Sequence, residues 1–89
     1  ILDELAEVLP SEASVEDEVA QREVMEAIND FLRRKAKADE RQLFLRRYFW
    51  GDSIGELTVT FRSSESKIKS QLFRTRQRLR SYLEERGLV

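Results

Sequence analysis

The fold turns on one stretch, Ser53-Ile-Gly-Glu-Leu-Thr-Val-Thr-Phe-Arg-Ser-Ser-Glu-Ser-Lys-Ile-Lys-Ser-Gln-Leu-Phe-Arg-Thr-Arg-Gln-Arg-Leu-Arg80. Its first four residues, Ser53-Ile54-Gly55-Glu56, spell a capping box. The serine hydroxyl serves the third amide and the glutamate reaches back to the serine's own N–H. A short helix through about Thr60 is expected. Phe61-Arg62-Ser63 then reads as a tight connection, and Ser64 as the cap of a last helix. In that helix Ile68, Leu72, Thr75, Leu79 and Tyr82 or Leu83 fall on one inward seam. Gly87 stands just past the last turn, where a left-handed residue closes a helix at least cost.

Upstream, Gly51 is the expected stop of a helix carrying Leu43, Phe44, Leu45, Tyr48, Phe49 and Trp50. These residues make it apolar around much of its circumference, which places it at the domain centre. Asp39 is its expected cap. Before it, Val24, Ala27, Ile28, Phe31 and Leu32 form an apolar stripe that runs into the basic segment Arg33–Lys37, suited to a helix C-terminus. Ser14 is the expected cap of that helix, with Glu16, Asp17 and Glu18 supplying negative charge to its first turn. Residues 1–13 contain the only proline, Pro10, and space Leu2, Leu5 and Val8 for one helical turn. They read as a linker with a short helix. No run alternates like a strand, so the expected class is all-α: four helices in one domain over residues 14–89.

Composition narrows the function. The 89 residues are 40% hydrophobic and 37% charged, apolar enough for one small core and heavily wetted outside it. Cysteine and histidine are both lacking, which excludes disulfides, thiolate chemistry and histidine acid–base work. Neither a metal nor a cofactor is expected, and no catalytic residue. Glu56 beside Asp52 forms a carboxylate pair, but the cap role accounts for Glu56 fully. No apolar run approaches a membrane span and no signal-peptide order opens the chain, so a soluble, cytoplasmic protein is expected.

The net charge of -1 averages two unlike parts. Residues 1–30 carry ten acidic side chains and one basic one, a net -9, whereas residues 31–89 carry fifteen basic and seven acidic, a net +8. Between Arg62 and Arg80 seven basic residues meet a single acid, Glu65. Such a local excess attracts phosphates. It also allows the acidic N-terminal third to fold back over the basic helix and mask it.

Two short helices joined by a turn of three or four residues, the second strongly basic, form the arrangement that inserts a helix into the DNA major groove. At about 100° per residue, with the Ile68–Leu72–Leu79 seam inward, the outward face carries Ser66, Lys69, Ser70, Phe73, Arg74 and Gln77. Arg74 is suited to a bidentate contact with guanine, and Phe73 to a thymine methyl or, equally, to packing against the linker. Arg62, Lys67, Arg76, Arg78 and Arg80 flank that face and suit phosphates, which set register rather than sequence. A basic face is more often simply solvated or paired with acids, and that reading stands beside this one. The aromatic cluster Phe44, Tyr48, Phe49 and Trp50 reads as core rather than as a base-stacking platform, because no regularly spaced basic groove accompanies it.

From Ser64 through Leu79 the chain resembles region 4 of the sigma-70 family of bacterial RNA polymerase sigma factors, the extracytoplasmic-function type most of all. The likeness extends over roughly Ser14 to Val89. It includes Arg41-Gln-Leu-Phe-Leu-Arg-Arg-Tyr-Phe49, Asp52-Ser-Ile-Gly-Glu-Leu57 and the closing Tyr82-Leu-Glu-Glu-Arg-Gly87. The resemblance implies a non-enzymatic domain with a C-terminal helix-turn-helix that reads the minus-35 promoter element and so directs RNA polymerase to promoters in transcription initiation. It implies Lys69, Ser70, Phe73 and Arg74 as base contacts, with Arg62, Ser66, Lys67, Arg76 and Arg80 near phosphates. Promoter DNA, the flap of the polymerase beta subunit and an anti-sigma factor are the implied partners, and residues 1–13 become the end of a linker from a region 2 that this chain lacks. Three positions depart from the pattern: Arg62 and Ser63 stand where glycine and an apolar residue are usual in the turn, and Thr58 where alanine is usual. The alternatives are a stand-alone helix-turn-helix transcriptional regulator acting as a dimer, or a helical protein-interaction module. If about five to seven of the basic groups neutralise phosphates, log affinity for DNA should fall against log salt with a slope of roughly -4 to -6. A slope near zero in a salt titration would remove DNA binding from consideration.

Overall fold

A computed structural model describes residues 2–9 and 18–89, and every regular element among them is helical. A single helical turn, α1 (Leu2–Leu5), precedes four longer helices: α2 (Glu18–Arg34), α3 (Ala38–Tyr48), α4 (Ile54–Phe61) and α5 (Glu65–Glu85). Ser14, Glu16 and Asp17, expected at the start of α2, and residues 10–13 of the expected linker lie outside the described residues. No helix of the described residues is long and apolar enough to cross a membrane.

The expected α2 stripe, Val24, Ala27, Ile28, Phe31 and Leu32, is buried along its whole length. It packs with Val8, Ala36, Phe44, Leu79, Tyr82 and Leu83 into the larger of two cores. The smaller core joins Leu43, Leu57, Ile68 and Leu72. Adjacent residues of α3 therefore serve different cores, Phe44 the larger and Leu43 the smaller, because they point about 100° apart on the helix. Along α5 the seam divides the same way, with Ile68 and Leu72 in the smaller core and Leu79, Tyr82 and Leu83 in the larger. Thr75 sits between the two sets, buried, with its hydroxyl donating to the Glu40 carboxylate at 2.7 Å and lying 3.0 Å from the Gln71 carbonyl.

The caps expected for the last two helices form as read. Ser53 Oγ accepts from the Glu56 N–H at 3.1 Å while Glu56 Oε1 accepts from the Ser53 N–H at 3.0 Å. Ser64 Oγ accepts from the Lys67 N–H at 3.2 Å. Asp39 is not the cap of α3. Lys37 holds that position, with no side-chain cap bond, and Asp39 lies inside the first turn with Glu40. The reason is Ala36, which is buried in the larger core and leaves no room for a longer loop before the helix restarts. Asp39 still opposes the positive end of α3 electrostatically.

The central position expected for the α3 aromatics holds for Phe44, buried, and Tyr48, half-buried against both cores. Phe49 and Trp50 depart from it, with exposures of 51% and 69%. The helix ends at Tyr48, so these two rings fall off its buried stripe as the chain turns through Gly51 at φ 80°. The Arg46 guanidinium lies 4.9 Å over the Trp50 ring. Val8, read from sequence as part of a linker, is fully buried in the larger core, with Leu5 and Leu9 packed beside it.

Two helices end in the same hydrogen-bonded motif with different residues at its left-handed position. After α5, Gly87 (φ 70°) donates to Glu84 O at 3.0 Å and Leu88 donates to Leu83 O at 3.0 Å, the two bonds of a Schellman closure. After α4, Arg62 (φ 51°, ψ 49°) donates to Val59 O at 3.4 Å and Ser63 donates to Thr58 O at 3.1 Å. Arg62 is the one non-glycine residue with positive φ among the described residues. Its Cβ makes that conformation cost roughly 1 kcal/mol more than it costs glycine. Arg62→Gly should therefore raise stability by about 0.5–1 kcal/mol, since glycine also gains freedom in the unfolded chain. Gly87→Ala, where a Cβ would meet nothing within 4 Å, should lower it by about 1 kcal/mol through backbone strain alone. Urea unfolding of the two variants checks both signs.

Candidate nucleic-acid interface

The side of α5 opposite its seam is open. Ser66, Lys69, Ser70, Phe73, Arg74 and Gln77 are all exposed, and all lie away from both cores. Phe73 is 51% exposed, with the Arg76 guanidinium 5.8 Å from its ring centre, so the ring packs in neither core. Lys69 pairs with Glu65 one turn earlier at 2.7 Å, and this contact holds the Glu65 carboxyl below its usual range. Both partners are in water, where such a pair is easily exchanged for another anion. Ser66, Ser70, Arg74 and Gln77 make no side-chain hydrogen bond among the described residues. Their donors and acceptors point outward, unspent.

The cations that flank this face divide into two sets by what they touch. On one flank, Arg76 is only 13% exposed. Its Nε donates to Glu7 at 2.8 Å and its Nη1 to the Tyr48 hydroxyl at 2.8 Å, with Glu4 at 4.0 Å. Arg80 donates to the Glu7 backbone carbonyl and lies 3.6 Å from Glu84. The same N-terminal segment reaches α3, where Glu4 accepts from Arg47 Nη2 at 2.7 Å and from the Tyr48 hydroxyl at 3.1 Å. On the other flank, Arg78 holds Glu40 at 2.5 Å and donates to the Lys35 carbonyl at 2.7 Å, its guanidinium 5.5 Å over the Phe31 ring. Lys67 and Arg62 are exposed with no ion pair among the described residues.

The titration behaviour follows these contacts. The bond from Arg47 holds the Glu4 carboxyl below its usual range, against the opposing effect of burial. Burial pushes Glu40 up, but the bonds from Arg78 and Thr75 outweigh it and leave that carboxyl lowered as well. Burial raises the Tyr48 hydroxyl to about 12, so at neutral pH it keeps its proton, donates a hydrogen bond to Glu4 and accepts one from Arg76.

The N-terminal acids thus cover one flank of α5 and leave the outward face open. Of the acids in the N-terminal third, expected to fold back over the basic helix, Glu12, Glu16 and Asp17 lie outside the described residues and Glu18 is exposed. The long-range polar contacts of Glu4, Glu7, Arg47, Tyr48 and Glu40 escaped the sequence reading because the partners lie 28 to 73 residues away along the chain. The only sequence signal was the -9 of the first thirty residues, which gives a sign but no partner. Among the described residues no group of three or more acidic side chains gathers as metal ligands would. Compared with known protein families, curated proteins and solved structures, the chain matches none.

A carboxyl whose folded pKa lies below its unfolded value of about 4.5 contributes stability that is present above that pH and is lost as pH falls through the folded value. The melting temperature should hold above about pH 5 and drop on acidification toward pH 3. Glu4→Gln should cost about 1–2 kcal/mol at pH 7, on the order of 5–10 °C for a domain of this size, and should flatten the acid limb. Thermal melts at stepped pH test this, and an unchanged acid limb would remove Glu4 from the clasp.

Proposed function

We propose that this chain is the promoter-reading region 4 of a bacterial sigma factor of the extracytoplasmic-function type, with α4 and α5 as its helix-turn-helix. In this reading α4 braces α5, and α5 lies in the major groove of the minus-35 element. Arg74 makes a bidentate contact with guanine, Lys69 and Ser70 bond to base edges, and Phe73 packs on a thymine methyl. Arg62, Ser66 and Lys67 approach phosphates, whereas Arg76 and Arg80 are tied to Glu7 on the opposite flank. The reading includes no catalytic step. The flap of the polymerase beta subunit is the expected protein partner, for which Phe49 and Trp50 offer exposed apolar surface, and an anti-sigma factor is a further one. The protein would work in the cytoplasm.

One observation carries this proposal: the hydrogen-bonding face Ser66–Lys69–Ser70–Phe73–Arg74–Gln77 lies exposed on a helix whose opposite face is locked into two cores. A face that the fold does not use, rigidly held and flanked by cations, has the properties that base reading requires. The positive φ of Arg62 points the same way. A cation is kept where glycine would be less strained, as expected if its charge meets a phosphate.

Arg74→Ala should cost about 1–3 kcal/mol on a duplex selected by the protein from a randomised pool and little on a scrambled duplex, because a base-edge contact is lost only from the specific complex. Phe73→Ala should follow the same pattern with its melting temperature nearly unchanged, since the ring lies outside both cores. Fluorescence anisotropy with both duplexes measures this. Equal losses on both would reduce α5 to a source of charge.

A further inference from the structure

We propose that a sugar–phosphate backbone of duplex DNA runs in the groove between α5 and the α2–α3 connection, anchored by Lys35, Lys37 and Lys67, and avoids the Arg76–Arg80 flank. The inference rests on the DNA-binding reading and specifies which side of α5 the backbone takes.

The groove has a volume of about 620 Å³ and is bounded on one side by Lys67, Arg74 and Arg78 of α5 and on the other by Lys35 and Lys37. Along α5, Lys67, Gln71, Arg74 and Arg78 follow the i, i+4, i+7, i+11 spacing of a single helical stripe, so the wall is continuous. Five cations and two carboxylates, Asp39 and Glu40, line it, a net +3. Glu40 is already committed to Arg78 and Thr75. Lys35, Lys37, Lys67 and Arg74 are exposed and make no ion pair among the described residues, so a phosphate can be met there without breaking an internal contact.

The opposite flank offers the reverse. Arg76 is spent on Glu7 and Tyr48, Arg80 on the Glu7 carbonyl and Glu84, and the carboxylates of Glu4, Glu7 and Glu84 repel a phosphate that approaches. Freeing Arg76, itself only 13% exposed, would break its bonds to Glu7 and Tyr48 before any phosphate is met. The groove is also pre-shaped. The Arg78 guanidinium bonds the Lys35 carbonyl at 2.7 Å, fixing the α2–α3 connection against α5, so Lys35 keeps a set position relative to the base-reading face. Arg74 belongs both to that face and to the groove wall, which lets one approach of the duplex serve base reading and backbone anchoring together.

The test is salt-dependent fluorescence anisotropy of the whole chain with the selected and the scrambled duplex. The double variant Lys35→Gln, Lys37→Gln should reduce the magnitude of the log–log slope by about 1.8, two phosphates at roughly 0.9 each, and weaken both duplexes by the same factor. Its melting temperature should be unchanged, because neither side chain holds a structural contact. Arg80→Gln should leave the slope within about 0.3 of the parent, since one lost phosphate contact would move it by roughly 0.9. Arg34→Gln, an exposed cation outside the groove, should also leave it unaltered. An unchanged slope for the lysine pair in a protein that binds DNA would overturn this inference and leave the DNA-binding reading standing. An equal drop from Arg34→Gln would overturn it by reducing the effect to general charge. No salt-dependent affinity in the parent protein would end both.

Discussion

Most of this structure follows from the demand on α5 to complete two cores at once. Its 21 residues would span about 31 Å at 1.5 Å per residue, more than either core alone can cover. The seam therefore has to remain in register from Ile68 to Leu83. Thr75 marks the crossing point, and its buried hydroxyl is satisfied there by acceptors on both sides, the Glu40 carboxylate and the Gln71 carbonyl. Glu40 is in turn neutralised by Arg78, which ties off the α2–α3 connection through the Lys35 carbonyl. A chain of three polar contacts thus holds the end of α2, α3 and α5 together at the boundary between the two cores.

A helix bound this tightly along one side has no use for its other side in folding. Ser66, Ser70 and Gln77 contribute nothing to either core, and Phe73 lies half exposed on the same face beside the Arg76 guanidinium. The flanks are unequal for a related reason. The N-terminal segment brings Val8 into the larger core, and Glu4 and Glu7 arrive with it, so the cations nearest that segment are consumed by the anchoring of the strap. On the far side Arg78 is held by Glu40, while Lys67 and Arg74 make no ion pair among the described residues. Whole-chain charge, close to neutral, conceals this: the acids and bases are sorted in space by which flank the strap covers.

Local signals in the sequence proved legible wherever the physics is local. The capping box at Ser53, the cap at Ser64, the α2 stripe and the α5 seam all depend on residues three or four apart, and all formed as read. Asp39 failed as a cap because a tertiary requirement, the burial of Ala36, fixed the start of α3 two residues earlier. Phe49 and Trp50 failed as core because their hydrophobicity was counted into a helix that ends before them. The ion pairs of Glu4 and Glu7 were beyond any pattern argument, since their partners lie 43 or more residues away and nothing in the local spacing selects Arg47 over any other base.

Arg62 shows how the local and functional levels conflict. Hydrogen bonding after α4 demands a left-handed residue, the same geometry that Gly87 supplies after α5, so chain stability by itself favours glycine at both ends. The turn cannot relax the strain by lengthening. Ser64 must cap α5 two residues later, and Phe61 is half-buried against the smaller core just before. Position 62 is therefore held from both sides in a conformation that an arginine adopts unwillingly, with an exposed side chain that makes no ion pair among the described residues. The same closure therefore costs the fold more after α4 than after α5, by the difference between an arginine and a glycine at its left-handed position.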